Sequence, residues 1–369
     1  MDRDPSPALL DPSDPTPGVG DLLRLWLSLQ AAFAWAPQEI AGYLVGGESP
    51  EALANRFGVR LLSPRESARR AQVLARDQVR LLPITSPLYP ARLRRLSDAP
   101  PLLAVRGQPS VLAARGVAIV GARAATVSGR QLARDLGHDL ARAGLVVVSG
   151  LARGIDRAAH EGALDAGGFT VALQACGPDL TYPPEHRALA DRIASSGGIV
   201  SELPLGSPPR APHFPLRNRL ISALAEAVVV VEARLRSGSL VTARHAADQG
   251  VDVLAVPGPV NAATSRGPHQ LLREGAGLVE DARDVLAALG WPGDFAPPAH
   301  GNGGVEACDP LERAILDALA TGPITPEALA TALERRLPEL AEALLELELR
   351  GEVGTDRDGQ LCRLGRSQG

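Results

Sequence analysis

The chain has 369 residues, 45% of them hydrophobic and 22% charged, with a formal net charge of −4. This is an ordinary globular composition, long enough for two or three domains with buried cores. It contains no apolar run of about eighteen residues, and its acidic, proline-rich start, MDRDPSPALLDPSDPTPGVG, lacks the basic flank and apolar core of a signal peptide, so we expect a cytoplasmic protein with no membrane partner. Lysine is absent and all 38 basic side chains are arginines, which excludes Walker-A phosphate binding and lysine Schiff-base chemistry and leaves any anion to guanidinium forks and backbone N–H groups.

In chain order, residues 1–20 read as a disordered tail. Residues 21–80 read as a small helical domain, in which LLRLWLSLQAAFAW, PQEIAGYLV, SPEALANRFG and SPRESARRAQVLARD are separated by Ser-Pro and Gly punctuation. A connector follows, SPLYPARLRRLSDAPPLLAVRG, whose prolines forbid a long helix. From Val117 apolar and amphipathic stretches alternate: VAIV, LVVVSG, TVALQAC, GIVSE, AVVVVEA and DVLAVPG are predicted strands, and the segments between them are predicted helices. Continuously apolar strands alternating with helices imply a doubly wound, mostly parallel α/β sheet over residues 81–291. Residues 292–309, rich in proline and glycine, read as a linker. Residues 310–369 give three helices and two short strands, the order of a winged helix.

Charge is unevenly spread. Between residues 81 and 160 eleven arginines face four acids, a local excess of +7, whereas residues 305–350 carry ten acids against four arginines, a balance of −6. The basic middle suits a polyanion and the acidic end opposes one, so the winged helix is expected to dock a partner or a second copy. Cys176, Cys308 and Cys362 are scattered and odd in number, which gives neither a disulfide framework nor a zinc spacing, and no metal is expected.

Ligands of such sheets sit at the C-terminal strand ends, where Gly121 and Ser149 fall. VAIVGARAATVSG lacks the later glycines of the dinucleotide fingerprint, and no acid ends the second strand to take a ribose, so neither NAD nor another cofactor is expected. What remains is a strand end, Gly121 for close backbone approach, Arg123 as a charged fork and a helix N-terminus with hydroxyls at Thr126 and Ser128. In SGLARGIDRAAH, Gly150 and Gly154 bracket Arg153, while Asp156 and His160 lie four apart on one helix face. That pair reads either as an acid–base dyad or as a structural pair, and we favour the structural role. HFPLRNRLISALAE places Phe214 before Arg217, Asn218 and Arg219, an aromatic with arginines at a helix start, suited to stacking on a base while gripping phosphates. AVVVVEA ends in Glu232, expected to support the site, and Ser237, Gly238 and Ser239 open another helix and a second nest of donors. Leu271 and Leu272 in GPHQLLREGAGLV mark an apolar patch that either the helix DARDVLAALG or a second copy covers.

These motifs together resemble the DprA/Smf family, the DNA processing protein A of bacterial natural transformation. Those that carry the resemblance are YPARLRRLSDAPPLLAVRG, VAIVGARAATVSG, VVVSGLARGIDRAAH, CGPDLTYPPEH, SELPLGSPP, FPLRNRLISALAEAVVVVEA, SGSLVTARHAADQG and VLAVPGP with GPHQLLREGAGLV. The resemblance implies an extended Rossmann-like domain between a small SAM- or HhH-like helical domain and a winged helix. It implies a non-catalytic homodimer that binds single-stranded DNA, protects it, loads the RecA recombinase onto it and displaces single-strand-binding protein. Arg123 matches the family's Gly-x-Arg motif, and Phe214, Arg217 and Arg219 match its Phe-Pro-x-Arg-Asn-Arg motif. Where many relatives carry lysines before that Phe, this chain has Ser207-Pro-Pro-Arg210, so Arg210 and His213 must supply the charge. Two other readings stay open: a plain nucleotide sensor, and a nucleotide-binding enzyme of the lysine-decarboxylase-like group that cleaves nucleoside monophosphates, though the Pro-Gly-Gly-x-Gly-Thr loop of that group is missing.

Overall fold

The apolar runs identified in the sequence are buried on both faces of one sheet. The structure is a computed structural model that describes residues 9–14, 16–291, 310–320, 322–349, 352–356 and 359–363; the expected linker, 292–309, lies outside the described residues. Four helices come first, α1 (Val19–Phe33), α2 (Gln38–Val45), α3 (Pro50–Arg56) and α4 (Pro64–Arg76), with Ser49 and Ser63 accepting N-terminal N–H bonds at the starts of α3 and α4. The connector that prolines were expected to keep irregular instead adds two strands, β1 (Val79–Pro83) and β2 (Leu102–Gly107), separated by the single turn α5 (Ala91–Arg94). Leu10, in the stretch expected to be a disordered tail, is fully buried and pairs with Leu81, because β1 otherwise presents an unpaired edge.

The alternating region then follows the predicted order: β3 (Gly116–Val120), α6 (Val127–Arg142), β4 (Val146–Ser149), α7 (Ile155–Asp165), β5 (Thr170–Leu173), α8 (Arg187–Ser196), β6 (Gly198–Ser201), α9 (His213–Leu224), β7 (Ala227–Val230), α10 (Gly238–Asp248), β8 (Asp252–Ala255), α11 (Arg266–Arg273), β9 (Gly277–Leu278) and α12 (Ala282–Ala288). Sheet order is β1-β2-β6-β5-β4-β3-β7-β8-β9, parallel from β6 to β9 and antiparallel where β2 joins β6 and β1 joins β2. Successive strand residues serve opposite faces. Val117, Ile119, Val147 and Val229 pack with α6, α7 and α12, while Ala118, Val120, Val148 and Val228 share a core with α9, α10 and the N-terminal helices, including Trp26 and Leu29. The N-terminal helices are therefore a layer on the sheet and share its core.

A winding reversal locates the crevice. The chain steps from β3 through β4 to β5 and β6 on one side, then returns to β7 beside β3 and continues to β8 and β9. The loops after β3 and β7 diverge from that point, where ligands of such sheets bind. The last segment comprises α13 (Pro310–Ala320), α14 (Pro326–Ala332), α15 (Leu337–Leu349) and the hairpin β10 (Val353–Thr355) with β11 (Leu361–Arg363), around Ile315, Leu329, Leu340 and Leu347. This is the winged-helix order. Among the described residues no helix is long and apolar enough to cross a membrane.

Helices α6 and α7 touch through glycines. A Cβ on Gly162 would stand 1.9 Å from the Arg134 carbonyl oxygen, and one on Gly137 2.3 Å from that of Ala159. Gly162→Ala is expected to destabilise the protein by about 1–3 kcal/mol through this overpacking, seen as a lowered melting temperature by circular dichroism; an unchanged transition would show that the helices separate freely.

Candidate nucleic-acid interface

At the β3–β7 reversal the expected anion cradle is already filled. Thr126 caps α6, its hydroxyl accepting from the Gly129 N–H, and the Glu232 carboxylate accepts from the Thr126 N–H at 2.9 Å and its hydroxyl at 2.5 Å. A carboxylate at a helix N-terminus takes one of the orphan donors, here the N-cap N–H, and its charge offsets the dipole that would otherwise attract a phosphate. The expectation that this terminus takes a ligand phosphate is corrected: Glu232, from the end of β7, occupies it. Gly121 and Gly129 make room for this arrangement, since a Cβ would meet Ile155 at 2.5 Å in the first case and the Glu232 carboxylate at 2.5 Å in the second. Gly154, at φ +77°, lies so close to the Ala122 carbonyl that a Cβ would approach it to 2.2 Å.

The second correction concerns α9. Arg217 and Arg219, expected to grip phosphates, are both buried. Arg217 Nη1 donates to the carbonyls of Gly150, at 2.7 Å, and Leu173, tying α9 to the ends of β4 and β5. Gly150 exists for this contact, because a Cβ there would stand 2.5 Å from the guanidinium. Arg219 makes five hydrogen bonds: Nε and Nη2 reach the Asp98 carboxylate and carbonyl, Nη1 and Nη2 take both Glu202 oxygens, and Nη1 also reaches the Leu216 carbonyl. Burial pushes the Glu202 carboxyl up while Arg219 pulls it back, and burial pushes the Arg217 guanidinium down to about 10. Asn218 donates to the Gly238 carbonyl at 3.1 Å, and the buried Ser149 hydroxyl donates to that of Ile119. These side chains build the framework, and the expectation that they meet the ligand directly is corrected by their burial and internal bonds.

Asp156 and His160 do not pair. The buried Asp156 carboxylate accepts from the N–H groups of Gly150 at 3.1 Å and Ala152 at 3.4 Å, closing the loop after β4. Burial raises its carboxyl above the usual range while Arg217 opposes this. His160 Nδ1 lies 2.7 Å from the Thr170 hydroxyl, whose proton goes to the Val147 carbonyl. Nδ1 is therefore the donor, and burial keeps the imidazole neutral near pH 7. Both side chains are thus engaged in internal hydrogen bonds.

What remains open at the crevice mouth is compact. The exposed Arg123 guanidinium lies 4.8 Å from the Phe214 ring centroid, and Tyr182 meets the same ring edge-to-face at 5.7 Å. Among the described residues no carboxylate is recorded within ion-pair distance of Arg123. Arg210 is exposed in the turn leading into α9, and its carbonyl accepts the His213 N–H. Arg153 is exposed but ion-paired with Glu185 at 2.5 Å. Ser237 caps α10, its hydroxyl accepting from the Ser239 N–H and lying 2.7 Å from the Ser239 hydroxyl, with Gly238 exposed between them. Arg234 and Arg236, exposed in the loop before that cap, went unnoticed in the sequence, as did Tyr182. Their signal was present: arginines beside the small polar run of a strand-to-helix loop, and an aromatic in the Pro-rich CGPDLTYPPEH. Leu271 packs against the main core, and Leu272 beside it is half-buried. α12 covers the opposite sheet face, not this pair.

Comparison with known proteins identifies the family. Residues 80–290 match the family model of the DNA recombination-mediator protein A, and residues 296–359 match the DprA winged helix domain. Protein Smf of Escherichia coli is 40% identical over 279 residues, 74% of this chain and 74% of that protein. The crystal structure of DNA processing protein A from Streptococcus pneumoniae superposes with a TM-score of 0.59 at 35% identity, covering 72% of this chain and 92% of that one. The protein of the same name from Helicobacter pylori, described for its single-stranded DNA binding mode, gives 0.51 at 33% identity over 54% of this chain and 92% of that one.

The buried imidazole provides a pH test. Burial pushes His160 down to about 3 from an ordinary 6.5, so the unfolded chain binds this proton more tightly, and the contribution is intact above pH 6.5 and lost as pH falls toward 3. His160→Gln, which does not titrate there, is expected to show a shallower loss of stability over that window in urea titrations at stepped pH. An identical pH slope would assign acid sensitivity to other groups.

Proposed function

Because the chain belongs to the DprA/Smf family of DNA processing proteins, we propose that the crevice mouth binds single-stranded DNA, with Arg123 and Phe214 at its centre. The observation that carries this reading is the Arg123 guanidinium, 4.8 Å from a half-buried aromatic ring and with no carboxylate within ion-pair distance among the described residues. A cation and a ring face in one place suit a backbone phosphate and its base. Arg210, Arg153 and the cap at Ser237, Gly238 and Ser239 extend the positive, donor-rich rim. Nothing in this set reads base edges, and the crevice has no basic helix to enter a major groove, so single strands are preferred over duplex with little sequence preference.

The family relationship supports the wider role. The protein protects single-stranded DNA entering during natural transformation, loads the RecA recombinase onto it, displaces single-strand-binding protein, and works in the cytoplasm as a homodimer through the surface near Leu271 and Leu272. The mononucleotide-cleaving alternative is disfavoured, since Glu232 holds the helix terminus that a mononucleotide phosphate would need, and Asp156 and His160 serve internal bonds.

Arg123→Ala is expected to weaken oligonucleotide binding and to flatten the log–log salt dependence by about 0.7, the share of one phosphate on a single strand. Phe214→Ala is expected to cost about 1–3 kcal/mol at an unchanged salt slope. Gel shifts across a salt series check both, and binding that is equally tight to blunt duplex would sink the proposal. Leu272→Arg is expected to sediment as a folded monomer that holds short oligonucleotides but has lost tight binding to long ones, because avidity goes and the site stays; a folded dimer would place the contact elsewhere.

A further inference from the structure

Of the chain's three tryptophans, three tyrosines and five phenylalanines, three converge on the first turn of α9. Tyr182 meets Phe214 from one side. Trp35 meets the preceding residue, its ring centred 4.8 Å from that of His213 with the planes 32° apart. His213 is 3% exposed and lies within reach of the Ala175 carbonyl, so it is a fixed seat. Trp35, by contrast, is 59% exposed. It sits in the turn after α1, in the N-terminal helical layer and outside the sheet region that carries the other candidate residues.

We infer that Trp35 is a second nucleobase-stacking platform, which extends the single-strand path from Phe214 onto the helical layer. The inference rests on the single-strand reading above and adds a subsite to it. Three observations favour a nucleobase as the occupant. A ring held against a buried imidazole loses little conformational entropy on stacking, which suits aromatic recognition. Neighbouring His213 and Phe214 share one backbone turn, so platforms resting on them follow one course along α9. Arg210 is exposed three residues before His213, and the His213 N–H bonds to its carbonyl, which holds a cation in the turn that leads into both platforms and makes it available to a neighbouring phosphate.

The test uses the full chain and oligothymidylates of increasing length. Trp35→Ala is expected to bind the longer oligonucleotides about 5- to 100-fold more weakly, the cost of one lost stacked base, with no change on the shortest that Phe214 alone holds. Trp35→Phe, which keeps a ring, is expected to recover most of this. Intrinsic fluorescence gives an independent readout: Trp26 is 1% exposed and Trp291 lies under the Arg115 guanidinium, so in a Trp291→Phe background quenching by the oligonucleotide reports Trp35. Failure of the parent protein to bind any oligothymidylate overturns the single-strand reading itself. Tight binding by the parent, with Trp35→Ala equal to it at every length and no quenching, overturns the Trp35 platform alone. A lowered melting temperature with unchanged affinity also overturns it and makes Trp35 a packing residue.

Discussion

Two guanidinium groups are enclosed where α9 crosses the C-terminal ends of the strands, and a buried cation tolerates few missing partners. Arg219 satisfies this requirement with Asp98 and Glu202, whereas Arg217 bonds the carbonyls of Gly150 and Leu173 through Nη1 and keeps its buried Nε without a hydrogen-bond partner among the described residues. These bonds join the connector, β4, β5, the end of β6 and α9 at one place. Gln30 of α1 donates to the Glu202 carbonyl, which brings the N-terminal helical layer into the same arrangement. The position of Phe214 follows, because it precedes Arg217 by three residues on the same helix. The arginines act through the geometry they impose, and the aromatic beside them faces outward as a result.

Glu232 imposes a comparable constraint on the other side of the crevice. Most folds of this winding leave the first helix N-terminus to a dinucleotide pyrophosphate. Here a carboxylate from the end of the neighbouring strand bonds the N–H and hydroxyl of the N-cap Thr126, and the Gly at 129 leaves it the space. Much of the positive character that remains at the proposed site is carried by exposed guanidinium groups, Arg123 and Arg210 among them. This favours an extended polyanion, whose phosphates can be met one at a time along a surface, over a compact diphosphate that needs convergent N–H groups.

Much of the architecture was legible because strand burial on both faces leaves an unambiguous pattern. VAIV, LVVVSG, TVALQAC, GIVSE, AVVVVEA and DVLAVPG all became strands in the expected order, and the winged helix followed from three helices and two short strands. The antiparallel pair β1 and β2 was missed, since its two strands flank prolines and a one-turn helix that look like a loop. Leu10 escaped for a related reason: one buried residue in a polar, proline-rich stretch has no periodicity to reveal it. At the proposed site, Arg123 and Phe214 stand out in the sequence as an arginine after the glycine of a βα turn and an aromatic at a helix start. The neighbouring Arg217 and Arg219 looked equally available, because a run of arginines does not show which of them a strand end or a carboxylate will claim.

By itself the sequence determined the strands and helices of the alternating region from Val117 onward, that lysine chemistry is absent, that a basic middle adjoins an acidic end, and which loops gather at one edge of the sheet. These are properties of local order and composition, and periodicity carries them. Tertiary structure decided which charges are spent internally. Asp98 and Glu202 lie far from Arg219 in the chain, Gly150 and Leu173 far from Arg217, and Glu232 far from Thr126. It also decided that Trp35, from the helical layer, stands against His213 at the head of α9. Partnership between charges depends on distance in space and on burial, which raises the energy of any charge left alone. Neither quantity has a counterpart in residue order.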